Sequence, residues 1–467
     1  MNFSLVGEIK IFLLVHIRRK MTIYRLIKVL MKWCLLPGFF AAVASVLVLF
    51  ISDYHEMCGK DHVEELCNKY EQNLIAGPLC YDLCQSKTLT FDTCLSTQPD
   101  KAIYKGTWKD KEVILKIRNG VEIESYSFSH LKTNEDHKNQ IGATVNILFG
   151  ECENCSDLTD RLAKTADVNN DGQLSLAETM TMVTLLQTPE PSMMLIINDS
   201  KHVPEMYGYC GKLYVVEKLP VIADSVFGYT WDFLDLAVLP SILEPFEDSL
   251  KKNGEIIYKS LKTSKIVREW IFPFIEDLKY FVYLNILRMR LPSLEERFNF
   301  SLSLMDTVLA LSSTPYGMFQ SCDSHLGNFG LSVNSEVKII DGDQVLPIHY
   351  LQLILTSKKC INDRNCRVGD FQECSSECDQ STGFCTAKLE KQNIQNICSD
   401  SLVLIFRNIS EDFKNQTLIC LEKAIYKLAA FCYTLPTEKL VSELKYNIEI
   451  VKEKLLNISR GEFDSCL

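Results

Sequence analysis

Between Phe319 and Leu346, in the stretch FQSCDSHLGNFGLSVNSEVKIIDGDQVL, oxygen-bearing side chains bracket two short apolar runs. Phe329–Val333 and Val337–Ile340 are rich in strand-forming residues, and the turn-forming Asn334-Ser335 lies between them. Asp323 and Asn328 stand before the first run, and Asp341-Gly342-Asp343 follow the second. The stretch therefore reads as a loop, a hairpin and a second loop. A tight hairpin brings its outer ends together, so these carboxylate and amide oxygens converge on one spot. Hard oxygen ligands gathered in this way suit magnesium and phosphate better than a soft metal.

The spacing resembles the protein-kinase catalytic core: catalytic Asp, four residues, metal-binding Asn, hairpin, metal-binding Asp. By that resemblance Asp323 accepts the proton of an attacking hydroxyl. Asn328 and Asp341 hold the magnesium or manganese ion that bridges the phosphates of ATP. Ser321-Cys322 replace the usual His-Arg, His325 replaces a Lys, and Gly342-Asp343 replace Phe-Gly.

Such chemistry needs a lysine from elsewhere. In YKGTWKDKEVILKI, residues 104–117, two alternating runs meet at Lys109-Asp110-Lys111, the pattern of a β-hairpin. V-I-L-K resembles the V-A-I-K strand of a kinase, which makes Lys116 the ligand of the α- and β-phosphates. A solvated lysine on a strand's polar face is the plain alternative. Upstream, Ser96–Lys101 contains no glycine where a phosphate-covering loop belongs. Downstream, KHVPEMYGYCGKLYVVEKL resembles the strands leading to a kinase hinge, so Glu217-Lys218 form the adenine-reading hinge. Glu190 falls where the glutamate partner of the nucleotide-binding lysine belongs. Pro189 and Pro191 flank it and disfavour a regular helix at that point.

A second metal motif lies at residues 167–178, DVNNDGQLSLAE, which fits D-x-[DN]-x-[DN]-G-x5-E at every specified position. Asp167, Asn169 and Asp171 supply side-chain oxygens to calcium, Gln173 its carbonyl, Ser175 a water, and Glu178 both carboxylate oxygens. Gly172 permits the sharp turn. Leu158, Leu162 and Ala166 recur at helical spacing before the loop, and Ala177–Gln187 reads as the exit helix. The alternative is an Asx-turn without metal. Since only one such loop is visible, the expectation is weak affinity, suited to a calcium-rich compartment.

Compartment follows from the rest of the chain. Residues 33–51, WCLLPGFFAAVASVLVLFI, carry no charge and are long enough to cross a bilayer. Residues 1–32 hold seven Lys/Arg and one Glu, which predicts a cytosolic basic tail and a type II signal-anchor, with the bulk in the lumen. A cleaved signal peptide is the alternative reading. Arg18-Arg19-Lys20 serve either as a retention signal or only as orientation determinants. Net charge is −11 overall and so −17 beyond that tail, which argues against a nucleic-acid partner. Nineteen cysteines and the sequons at Asn154, Asn198, Asn299, Asn408, Asn415 and Asn457 predict an oxidised, glycosylated chain. Zinc is the competing use of Cys80/Cys84 and Cys152/Cys155. Phe298, Leu302, Met305 and Leu309 read as the core face of a helix leading into the Asp323 loop, and Trp231 and Trp270 read as core.

Taken together, the basic tail and anchor, the Cys-rich stem, Y-x-G-x-W, the EF-hand, G-Y-C-G-x-L-Y and C-D-Q-S-T-x-x-C resemble one family. It is the divergent protein-kinase-domain family of Cys-rich type II membrane proteins of the endoplasmic reticulum. The resemblance implies an α+β, protein-kinase-like two-lobed fold with an EF-hand inserted in the small lobe, after an N-terminal transmembrane helix. The expected units are a tail (1–32), an anchor (33–51), a Cys-rich lumenal stem (52–95) and a small lobe (96–217, EF-hand at about 156–188). A large lobe follows (218–467), with a Cys-rich insertion at 360–398. Three functions fit. One is a lumenal kinase transferring phosphate from ATP to a secretory-pathway protein or glycan. The second is a pseudokinase acting as a calcium-responsive scaffold. The third is a glycosyltransferase using Asp341-Gly342-Asp343 as a D-x-D motif.

Overall fold

The computed structural model describes residues 62–95, 101–118, 128, 130–197, 201–220, 292–369, 373–406, 416–435 and 441–461. The anchor and tail, Trp231, Trp270 and the sequons at Asn198, Asn408 and Asn415 lie outside the described residues. Among those described, no helix is long and apolar enough to cross a membrane.

Helices α1 (His62–Glu71) and α2 (Cys80–Cys84) precede strands β1 (Leu89–Cys94), β2 (Lys101–Trp108) and β3 (Lys111–Arg118). Helices α3 (Asn134–Phe149), α4 (Cys155–Ala166), α5 (Leu176–Gln187) and α6 (Pro189–Ile197) follow. Strands β4 (Met206–Cys210) and β5 (Leu213–Glu217) complete an antiparallel sheet of order β1-β2-β3-β5-β4. The β2–β3 turn is the expected one: Lys109 and Asp110 both take positive φ, which suits a two-residue hairpin between right-twisted strands.

Alternation along these strands separates two faces. Ala102, Tyr104, Val113, Leu115, Ile117, Leu213 and Val215 are buried together with Leu66, Leu79 and Leu83 of the preceding segment. That burial, and the pairing of β1 with β2, make residues 62–94 part of the sheet unit and not a stem apart from it. The other face carries Lys101, Lys116, Arg118 and Tyr214, since Lys101 pairs with Arg118 and Lys116 with Tyr214 across the ladder.

The remaining described elements are mostly helical. Helix α7 (Leu294–Ser312) opens on a capping box between Ser293 and Glu296. It buries Phe298 and Met305 as the spacing predicts. The predicted hairpin forms, trimmed to β7 (Phe329–Leu331) and β8 (Val337–Ile339). Its outer arms are more ordered than loops. Phe319–Ser321 (β6) pairs antiparallel with Val345–Pro347 (β9), so a second ladder closes the ends of the stretch. Three-residue runs containing Gln, Ser and Pro carry too little pattern to be read as strands. Helix α8 (Ile348–Thr356), strands β10 (Ser376–Asp379) and β11 (Phe384–Leu389), and helices α9 (Gln416–Tyr433) and α10 (Val441–Ser459) follow.

Seven disulfides join described cysteines: Cys67–Cys84, Cys80–Cys210, Cys152–Cys155, Cys322–Cys374, Cys360–Cys378, Cys366–Cys385 and Cys398–Cys432. Both proposed zinc half-sites are consumed by these bonds. The Cys-rich insertion is the disulfide-knit element that the sequence suggests.

Candidate active site

Helix α6 settles the position of Glu190. Pro189 occupies its first position, where a missing N–H costs nothing and the fixed φ favours helix entry, and Pro191 still lies in the first turn. The expectation that these prolines break the helix is therefore corrected: they start it. Glu190 is fully buried, and its Oε1 accepts a hydrogen bond from Lys116 Nζ. Lys116 Nζ also donates to the Ile340 carbonyl at 2.6 Å. The lysine, its glutamate and the residue before Asp341 thus meet, although 74 and 224 positions separate them from Lys116.

Lys101 joins them, and its role was not legible in the sequence. Its ammonium lies 2.8 Å from Glu190 Oε2, 2.9 Å from Asp341 Oδ1 and 2.8 Å from Asp343 Oδ2, with the residue 3% exposed. Arg118 Nη1 stands 3.5 Å from Asp343 Oδ1. Tyr214 donates its hydroxyl to Glu190 Oε2 at 2.9 Å. The period-two register of β2, β3 and β5 was the available signal for all three residues, once Lys116 was taken as the inward-facing one.

The Asp323 loop is tied to the strand end at Ile340 and Asp341. Asn328 Nδ2 donates to the Asp323 carbonyl at 3.0 Å, which closes the D-x-x-x-x-N segment on itself and leaves the Asn328 Oδ1 for a ligand. The Asn328 carbonyl accepts the amides of Ile340 at 2.9 Å and Asp341 at 3.3 Å, so loop and metal-side aspartate share one framework. Behind the loop, Cys322 is bonded to Cys374, and the Ser324 amide donates to Glu373 Oε2 at 2.8 Å. Helix α7 supports the hairpin: Thr307 donates to the Val337 carbonyl at 2.7 Å, and Ser303 Oγ accepts the Val337 amide at 2.8 Å. Asp323 itself is largely buried, with His325 Nε2 3.7 Å from its Oδ1.

Glu217 ends β5 but does not offer the expected hinge contacts. Its carboxylate accepts from Lys338, and its amide is taken by the Glu205 carbonyl at 3.0 Å.

Charge in this site is shared tightly. Burial raises the Glu190 carboxyl, but the Lys101 and Lys116 ammonium groups outweigh it and hold it below the ordinary glutamate value. Asp341 is depressed against its burial in the same way, chiefly by Lys101. Asp343 is pushed upward by burial, which the nearby Lys101 only partly offsets and to which Glu190 and Asp341 add. Lys101 is raised despite its burial by Glu190, Asp341 and Asp343. Groups held below their ordinary values add stability above those values, 4.5 for Glu190 and 3.8 for Asp341, and lose it as pH falls further. Asp343 acts in the opposite sense. The raised Lys101 keeps its contribution below 10.5 and loses it only in strong alkali. The thermal midpoint should therefore drop between about pH 5 and about pH 3. The drop should be shallower in Glu190→Gln, measured by circular dichroism melts across that range.

Glu190, Asp341 and Asp343 each place a carboxylate oxygen within 4.8 Å of the others. These three form an all-oxygen donor set of the kind that suits magnesium or manganese and not a soft metal. Cys360, Cys366 and Cys378 also cluster, but their sulfurs are spent in disulfides.

The segment from 155 to 187 is a helix–loop–helix. Leu158, Leu162 and Ala166 are buried along α4, and Leu174 packs inward. Gly172 takes φ +76°, the left-handed turn its position demands. Asp167 accepts the amides of Asp171 at 3.2 Å and Gly172 at 2.9 Å; Asn169 accepts Asp171 at 3.1 Å. Asp171 accepts the Gln173 amide at 2.7 Å, and Glu178 takes the Val168 amide at 2.9 Å and the Ser175 amide at 2.8 Å. Oxygen-only donors on a Gly-turned loop fit a hard cation of calcium's size. Asn134 of α3 clamps the loop through the Leu174 amide, a contact without a local sequence signal. Only Thr188 separates α5 from α6, so the exit helix runs directly into the one that carries Glu190.

Two family models match the chain. One, the N-terminal cysteine-rich ER region of FAM69, matches residues 24–146 and includes Lys101 and Lys116. The other, the protein-kinase domain of FAM69, matches residues 182–431, more than half of the chain, and includes Glu190, Asp323, Asn328 and Asp341. The loop at 167–178 lies between the two matched stretches. By its match to both models, joined at one cluster of lysines and carboxylates, the chain belongs to the FAM69 family and carries its protein-kinase domain.

Proposed function

We propose that this protein is a metal-dependent phosphotransferase of the endoplasmic reticulum lumen, which moves the terminal phosphoryl group of ATP to a hydroxyl of a secretory-pathway protein or glycan. The reading adds a two-lobed kinase-like arrangement, a type II membrane anchor and an EF-hand in the small lobe. The observation that supports it best is the buried Lys116–Glu190 pair meeting the strand end that leads to Asp341. In this reading Lys116 grips the α- and β-phosphates, and Glu190 fixes the lysine's direction. Asp341 and Asn328 hold magnesium or manganese, whose charge would offset that gathering on the phosphate oxygens. Asp323 takes the proton as the acceptor oxygen bonds to phosphorus, and the bond to the bridging oxygen breaks to release ADP.

The test is radiolabelled phosphate transfer by the full-length chain from an oxidising host, with a thermal-shift panel of ATP, UDP-sugars and metals. Asp323→Asn should lower transfer by about 10²–10⁴-fold while ATP still stabilises the protein. ATP stabilisation should vanish in Asp341→Ala. ATP binding without any transfer would leave a pseudokinase scaffold, and a response to UDP-sugars alone would favour the glycosyltransferase.

Calcium is the proposed regulator. Its ligands would be Asp167, Asn169, Asp171, Gln173, Ser175 and Glu178, and its lever the direct passage from α5 through Thr188 into α6. Ordering the loop would hold Glu190 against Lys116. Glu178→Gln should remove calcium binding and, with it, the calcium-dependent part of nucleotide affinity, read by titrating nucleotide with and without calcium. Loss of calcium binding with nucleotide affinity unchanged would sink the coupling.

A further inference from the structure

Lys101 is the buried ion in the cluster to which no role above is attached. It opens β2 directly after a segment without glycine, and its side chain lies on the same sheet face as Lys116. Its ammonium touches all three carboxylates of the oxygen cluster, at 2.8–2.9 Å. A lysine serving only to brace the sheet would need one partner. This one sits where the carboxylates of a cation site converge.

The charges explain why that matters. Glu190, Asp341 and Asp343 face Lys101, Lys116 and Arg118, so the enclosed cluster is formally balanced. A divalent ion entering alone adds two positive charges to a balanced, largely buried group, which desolvation makes costly. A triphosphate entering alone meets three carboxylates. Entering together, the metal can take Asp341 and Asp343 and Glu190 can stay with Lys116, while the released ammonium of Lys101 turns to the phosphates, so each charge keeps a partner.

Resting on the phosphotransferase reading, we infer that Lys101 is a resident counter-ion and a second phosphate-positioning lysine. It holds the metal carboxylates until metal and nucleotide arrive together, then supplies the phosphate contact that a Gly-rich loop makes through backbone amides. Metal and nucleotide must then raise each other's affinity by the same factor.

The test uses the full-length chain with just enough calcium present throughout to fill the loop at 167–178, so that manganese reports on the carboxylate cluster. Manganese binding is followed by electron paramagnetic resonance without nucleotide, and binding of a fluorescent ATP analogue is followed with magnesium present. Lys101→Met should tighten manganese alone by about tenfold or more and weaken the analogue by a similar factor. Lys101→Gln, which keeps a hydrogen-bond donor and guards against misfolding of the methionine variant, should move both affinities the same way. An unchanged manganese affinity in both variants would reduce Lys101 to a structural ion pair and leave the phosphotransferase reading intact. Failure of the parent protein to bind the analogue at all would overturn both.

Discussion

Replacing Glu190 with alanine is expected to destabilise the protein by about 3–5 kcal/mol, because it takes from buried Lys116 its only carboxylate partner among the described residues, and from buried Lys101 one of three. Lys101 and Lys116 are 3% and 6% exposed, so neither can be rehydrated without opening the contact between sheet and hairpin. The hydroxyl of Tyr214 would lose its acceptor as well. Urea titration of the variant measures the loss directly. A double-mutant cycle with Lys116→Met separates this effect from simple loss of packing. Removing the lysine should recover part of the loss, since the second change eliminates the charge left without a carboxylate. Strict additivity would show that Glu190 and Lys116 do not act as a pair, and the central contact of the site would fall with it.

The second large effect is expected at Cys80–Cys210, which closes a separation of 130 residues and ties α2 to strand β4. Removing it by paired serine substitution should cost about 5 kcal/mol on the chain-entropy expectation, because so long a loop gains so much freedom when unfolded. Cys152–Cys155, with a separation of 3, makes the control. The same reasoning gives it no more than about 2 kcal/mol. Non-reducing denaturation of the two serine pairs tests the ratio. Equal losses would mean that strain or local packing, and not loop closure, sets what these bonds contribute. Cys80 and Cys210 are both fully buried behind the sheet, so some loss of packing will add to the first figure.

The same two elements separate what could be read from what could not. Alternation in YKGTWKDKEVILKI predicted a hairpin and Lys116 on it, because each strand residue's face is set by its immediate neighbours. The β1 strand was hidden inside an apparent stem: its pattern is short, and its partner lies beyond an intervening segment. Resemblance pairs Glu190 with Lys116, a contact the structure contains, while its flanking prolines argue against a helix there. Proline opposes a helix interior but favours a helix start, and only the chain's entry from Thr188 decides which applies. A hinge at Glu217 calls for open backbone there, yet the Glu205 carbonyl takes its amide and Lys338 takes its carboxylate, both from outside the local pattern.

By itself, then, the sequence determined the local chemistry: the Asp323, Asn328 and Asp341 spacing, the strand that carries Lys116, the oxygen-rich loop at 167–178 and the family. Those features depend on residues a few positions apart, whose geometry short-range sterics and hydrogen bonding dictate. Tertiary structure alone decided that Lys101 enters the site, that one glutamate serves two lysines, and which cysteines join. These are contacts across 89 to 242 residues for Lys101, from Glu190 to Asp343, and up to 130 for the disulfides. At such separations periodicity gives the face a residue occupies but not its partner, and the partners are chosen by which faces the sheet, helix α6 and the hairpin bury against one another.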